Sequence, residues 1–102
     1  MAPRVSIHPT DTNITRLETF SLICEGTGNP TPEILWVHNG SVIDLEQEHV
    51  SVLSITALQR ANNTLTISMA DTNTSGLYHC TVSVAGATVR SRSALIFVQG
   101  EP

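Results

Sequence analysis

The stretch Gly76-Leu77-Tyr78-His79-Cys80, read together with Cys24 and with Trp36 twelve residues after it, decides the fold of this chain. Tyr78, Cys80, Val82 and Val84 alternate with His79, Thr81 and Ser83, the period of two that a half-buried strand shows. Phe20, Leu22 and Cys24 alternate in the same way with Thr19, Ser21 and Ile23. Two sheets packed face to face lie about 10 Å apart, so an inward cysteine on a strand of each is placed to join them. A tryptophan on a third strand, here Trp36 among Ile34, Leu35, Val37 and His38, supplies the large aromatic such a core needs. Tyr78, two residues before Cys80, has the spacing that returns its hydroxyl to the backbone of the preceding turn.

Outward from this constellation, the chain reads as strands punctuated by turns. Leu65 and Ile67 sit among Thr64, Thr66 and Ser68, and no stretch carries a convincing helical stripe. Gly26 to Pro32 is a turn-rich loop, His38-Asn39-Gly40-Ser41 is a hairpin signal, and Ala85-Gly86-Ala87 is a tight turn. The pattern predicts strands over residues 5–8, 13–15, 18–25, 33–38, 41–43, 50–55, 64–69, 76–85 and 88–99, hence an all-β two-sheet antiparallel sandwich. Residues 44–62 carry the weakest pattern, so the strand opening at Val50 is free to slip.

Composition bounds the function. At 102 residues the chain holds one domain, assigned to residues 3–100. No apolar run approaches the roughly 20 residues a membrane span needs, and nothing points to direct membrane contact. The chain has five arginines, no lysine and a net charge of −4, which lacks the basic footprint a phosphate backbone demands and argues against nucleic acid. Met1-Ala2 runs directly into strand-like sequence, so a signal peptide is expected to be removed from, or never part of, this chain, and the parent protein to be longer. His8, His38, His49 and His79 show no ligand-like spacing, and two cysteines do not make a structural zinc site, so no metal or other cofactor is expected. No nucleophile elbow or motif-placed Ser/His/Asp set occurs, and the domain reads as non-catalytic.

With these residues the chain resembles the immunoglobulin superfamily, and within it the intermediate set found in adhesion molecules and receptor ectodomains. Gly28-Asn29-Pro30-Thr31-Pro32-Glu33-Ile34-Leu35-Trp36 is similar to the family's passage between its second and third strands. Leu65-x-Ile67 followed by Gly76-x-Tyr78-x-Cys80 is similar to its passage into the second cysteine strand. The resemblance implies an immunoglobulin-like sandwich with an inter-sheet disulfide, Cys24–Cys80, with Trp36 packed against it and Tyr78 as the tyrosine corner. One departure is Thr74, where the family often has an acid two positions before the glycine. The acid's usual ion pair is therefore not expected, and Asp71 is expected to cap the loop instead.

Four Asn-x-Ser/Thr sequons, at Asn13, Asn39, Asn62 and Asn73, favour an extracellular, glycan-bearing domain, secreted or cell-surface, although Asn39 and Asn73 also suit turns. All four are expected in turns or at a sheet edge, leaving the outer face of the sheet that carries Trp36 and Cys80 free of sugar. On that face Leu35, Val37, His79, Thr81 and Ser83 are expected to point outward, and Leu35, Val37, His79 and Thr81 are the candidate protein contacts. The apolar run 94–98 leaves open whether Leu95 and Phe97 join them or meet a neighbouring domain. Arg90 and Arg92 read as solvated edge charges, and Asp44, Glu46 and Glu48 as solvated loop charge rather than a calcium site. The leading expectation is a recognition module for a homophilic or heterophilic protein partner, held between neighbouring domains of a parent chain. A structural spacer between modules and an intracellular cytoskeletal module are the alternatives.

Overall fold

The computed structural model of the chain describes residues 2–43, 50–57 and 60–100. Its strands are β1 (Arg4–Ile7), β2 (Thr12–Thr15), β3 (Phe20–Thr27), β4 (Glu33–His38), β5 (Ser41–Val42), β6 (Val50–Ala57), β7 (Arg60–Ile67), β8 (Gly76–Val84), β9 (Ala87–Arg90) and β10 (Ala94–Gln99). They form an all-β, two-sheet immunoglobulin-like sandwich. One sheet runs β1-β3-β7-β6; the other runs β2-β10-β8-β4-β5, with β9 also pairing β8. All pairings are antiparallel except β2 with β10, which is parallel.

The alternation that identified the strands also builds the core, because every second side chain on a strand faces the opposite sheet. Phe20, Leu22 and Cys24 on β3, Leu65 and Ile67 on β7, Ile34 and Trp36 on β4, Tyr78, Cys80 and Val82 on β8, and Ala94, Ile96 and Val98 on β10 form one buried cluster. Within it a disulfide joins Cys24 of one sheet to Cys80 of the other, with the Cα atoms 6.4 Å apart. Trp36 lies directly across the strand pair from Cys80 and is buried. Two hairpins close with both central residues in the left-handed region, Asn39 (φ 50°) with Gly40 (φ 86°) and Ala85 (φ 42°) with Gly86 (φ 89°). Turns of this hand match the twist of the strands they connect.

Several strands differ from the sequence-based expectation; β3 runs over Phe20–Thr27 rather than 18–25, and the ends of β1, β2, β5 and β8 move by one residue. β7 begins at Arg60 rather than Thr64, because Ala61 and Asn63 continue the inward positions of Leu65 and Ile67. Asn63 is polar and looked like loop, yet its Nδ2 donates to the Ile34 carbonyl of the facing sheet at 3.0 Å and its Oδ1 accepts from Ser54 Oγ at 2.8 Å. A buried amide with these partners satisfies a carbonyl that the sandwich would otherwise strand. β6 runs on to Ala57 instead of ending at Ile55.

The strand expected over residues 88–99 is two strands, parted at Ser91. Ser91 is buried, its N–H donates to the Cys80 carbonyl at 2.8 Å, and its Oγ accepts the Cys80 N–H at 2.9 Å. A side-chain oxygen thus replaces one rung of the ladder, and the chain shifts from the β9 alignment to that of β10.

The Tyr78 hydroxyl donates to the Thr74 carbonyl at 2.6 Å, closing the turn before β8. That turn contains a short 3-10 helix, Thr72–Thr74, capped by Asp71, whose Oδ1 accepts the Thr72 N–H at 2.7 Å. Thr74 Oγ1 in turn accepts the Asp71 N–H at 3.0 Å. Asp71 caps the loop as expected, and it also lies 3.7 Å from Arg16.

Candidate recognition face

The outer surface of the β2-β10-β8-β4-β5 sheet carries the residues singled out for contact. Leu35 is 43% exposed, while His79, Thr81 and Ser83 are half-buried. Val37 departs from expectation: it is only 8% exposed. It sits in the middle of a row, flanked by Val42 on β5 and His79 on β8, and these neighbours close over it. Val42, 64% exposed, is the apolar group presented there instead.

The register extends the patch beyond the predicted residues. Leu95 pairs directly with Leu77, and Phe97 follows Leu95 on the same face two residues on. Leu77, Leu95 and Phe97 are each about half exposed, because Ala94, Ile96 and Val98 take the inward positions of β10. Leu77 could have been found from sequence by carrying the parity of Cys80 further along β8, while Leu95 and Phe97, left open by the sequence, take this face. The opposite end of the face is polar. Ser83 Oγ and Thr88 Oγ1 share a hydrogen bond of 3.0 Å, and Arg90 pairs with Thr81 across β8 and β9.

His79 lies between these two ends. Its imidazole is held below the ordinary histidine range, first by burial and second by the nearby positive charge of Arg90. The neutral form therefore predominates at neutral pH. Tyr78, on the inner side of the same strand, has its phenol pushed up to about 12 by burial. His38 stacks on its ring with centroids 4.2 Å apart, and His38 Nε2 donates to the Ser75 carbonyl at 3.0 Å.

The four sequon asparagines are placed unequally. Asn73 is exposed in the 3-10 turn. Asn13 is exposed on β2, as expected, but it pairs with Phe97 and so shares the outer face with the apolar patch instead of leaving that face clear. Asn62 is not in a turn: it lies in the body of β7, between Glu25 of β3 and Ile55 of β6. It was misread because the polar pair Asn62-Asn63 resembles a loop, whereas Asn63 is buried as a strand residue.

Asn39 does structural work in the hairpin. Its Oδ1 accepts the Leu77 N–H at 2.9 Å, and its amide lies against Gly76, where a Cβ would stand 2.4 Å from Oδ1. Gly76, with φ at 139°, is thus the glycine of the motif for two reasons, backbone conformation and room for Asn39. Arg90 lies on β9, and Arg92 is exposed in the break before β10, where its N–H donates to His8 Nδ1 at 3.0 Å. The acidic run Asp44, Glu46 and Glu48 lies outside the described residues. Among the described residues no three His, Cys, Asp or Glu side chains gather to hold a metal ion.

Comparisons with known proteins agree with this architecture. Peroxidasin of Drosophila melanogaster is 30% identical over 98 residues, spanning 96% of this chain and 6% of that protein. The chain therefore corresponds to a small part of the curated relatives it matches. The N-terminal Ig1-2 module of the Drosophila receptor protein tyrosine phosphatase DLAR superposes with a TM-score of 0.85 at 20% identity, over 98% of this chain and 50% of that one. Titin M4 superposes with a TM-score of 0.83 at 21% identity, over 96% of each chain. Residues 2–83 match the family model described as Immunoglobulin domain, and with the disulfide, tryptophan and tyrosine corner in place the chain belongs to that family.

Proposed function

We propose that this chain, over residues 3–100, is an extracellular protein-recognition domain of a longer multi-domain receptor or adhesion protein. Domains of this type serve as protein-interaction modules in cell-surface proteins and in intracellular structural proteins. The observation that carries the recognition reading is the apolar end of the six-stranded sheet, where Leu77, Leu95 and Phe97, with Val42 in the adjacent row, are all between 49% and 64% exposed. Aromatic and aliphatic side chains clustered on a rigid sheet and rimmed by polar groups are what a partner protein buries. Leu35, His79 and Thr81 join the contact from the neighbouring rows, with Val37 supporting them from beneath. Four sequons and the absence of lysine support the extracellular placement, with Asn73, exposed in the 3-10 turn, the site best presented for sugar away from the apolar patch.

The test is binding by the full-length parent, or by this chain displayed in many copies, with Leu35→Glu and Phe97→Glu compared with unsubstituted protein. Loss of binding, with the thermal midpoint retained, supports the reading. Unchanged binding in both variants refutes it and leaves a spacer between modules. Mass spectrometry of native material reads the compartment: an oxidised Cys24–Cys80 pair and glycosylated Asn73 are expected, while reduced thiols and bare asparagines would place the domain inside the cell.

A further inference from the structure

Sheet edges expose unpaired backbone N–H and C=O groups, and proteins usually blunt them with short strands, bulges, proline or charge. Among the described strands, four edges follow that rule. β1 has four residues and a register shift between Val5 and Ile7, β2 has four residues, β5 has two, and β9 has four and ends on Arg90. The edge at β6 does not. β6, Val50-Ser51-Val52-Leu53-Ser54-Ile55-Thr56-Ala57, is eight residues long and contains no charge, proline or glycine. It pairs with β7 in unbroken register from Val50↔Ile67 to Ala57↔Arg60, and no described strand pairs with its other side.

We propose that β6 is a self-association edge, through which two copies of this chain pair antiparallel about a twofold axis at Ser54. The segment is nearly palindromic around that residue. Leu53 and Ile55 flank it as aliphatics, and Val52 and Thr56 flank them as β-branched residues of similar shape. A twofold pairing at Ser54 sets Leu53 opposite Ile55 of the second copy and Val52 opposite Thr56 of the second copy, and paired residues in such a ladder share a face.

Leu53 and Ile55 are 62% and 56% exposed on the outer side of the β1-β3-β7-β6 sheet. Leu53 lies in the row Leu53–Thr64–Ile23 and Ile55 in the row Ile55–Asn62–Glu25, so pairing joins the two aliphatic edge residues at the seam and buries them against each other. The chain carries a net charge of −4, but none of it lies on this edge. Among the described residues, Glu25 and Arg60, charged side chains on this face, are paired with each other. Self-complementary sequence and a charge-free edge favour a second copy over an unrelated strand. This surface is separate from the recognition face, which lies on the other sheet.

Sedimentation equilibrium on the disulfide-intact chain, made in a host that adds no glycans, tests the proposal. A reversible dimer is expected as concentration rises towards about 1 mM, the upper range of weak specific association. Leu53→Lys is expected to weaken the dimer at least tenfold with an unchanged thermal midpoint, and Leu95→Lys on the other sheet to leave it intact. Amide exchange in residues 50–57 should slow with concentration. A monomer throughout, a dimer indifferent to Leu53→Lys, or a dimer abolished by Leu95→Lys would each overturn the proposal.

Discussion

Replacing Tyr78 by phenylalanine removes one oxygen and keeps the ring. The edge contact to Phe20, with centroids 6.2 Å apart, and the stack on His38 both survive, so the change isolates the hydroxyl's bond to the Thr74 carbonyl. Losing such a bond and stranding its acceptor costs about 1–2 kcal/mol. In a domain of this size that lowers the thermal midpoint by roughly 4–16 °C. Urea unfolding should show a lower midpoint with an unchanged slope.

The pH dependence gives a second and sharper reading. The Tyr78 phenol is raised from 10.0 to about 12 in the fold, so the fold favours its neutral form. That contribution is complete below pH about 10 and is lost as pH rises towards 12, with a slope approaching about 1.4 kcal/mol per pH unit. The chain has one tyrosine, no lysine, and both cysteines in the disulfide, so Tyr78 is the side chain that titrates in this window. The wild type should therefore lose stability between pH 10 and 12, with tyrosinate absorbance appearing only near 12, while Tyr78→Phe stays level. An unchanged midpoint at neutral pH, or an equal alkaline decline in the variant, would refute this account of the turn.

Gly76→Ala should destabilise the fold by about 2 kcal/mol or more, since it adds backbone strain at φ 139° and drives a methyl into the Asn39 amide. Denaturant titration measures it, and a neutral substitution would show that the hairpin shifts freely. Removing the disulfide with Cys24→Ala/Cys80→Ala should cost about 4 kcal/mol by the chain-entropy relation for a 56-residue separation, read from the urea midpoint in non-reducing buffer. His79 should titrate below the ordinary histidine value in an NMR pH series, and Arg90→Gln should move it upward. Its contribution to stability is present above pH about 6.5 and is lost as pH falls through the lowered value. Titration at or above the ordinary value would contradict the packing around it.

Much of this protein is legible without coordinates. The inward residues of β3, β4 and β8 follow from alternation, because a strand's side chains must face opposite ways. Cys24, Trp36, Tyr78 and Cys80 mark the layers that meet, because one disulfide, one indole and one returning hydroxyl have few arrangements that suit them all. Other features depended on which strands become neighbours. Val37 has outward parity yet is buried, because β5 and β8 flank it. Asn63 is a core residue because the Ile34 carbonyl faces it from the other sheet, and Ser91 divides a strand because Cys80 offers it both backbone groups. Leu53 and Ile55 line an open edge only because β6 comes last in its sheet. Period two declares the face a side chain takes, but what covers that face comes from residues far away along the chain, and only the assembled sandwich brings them together.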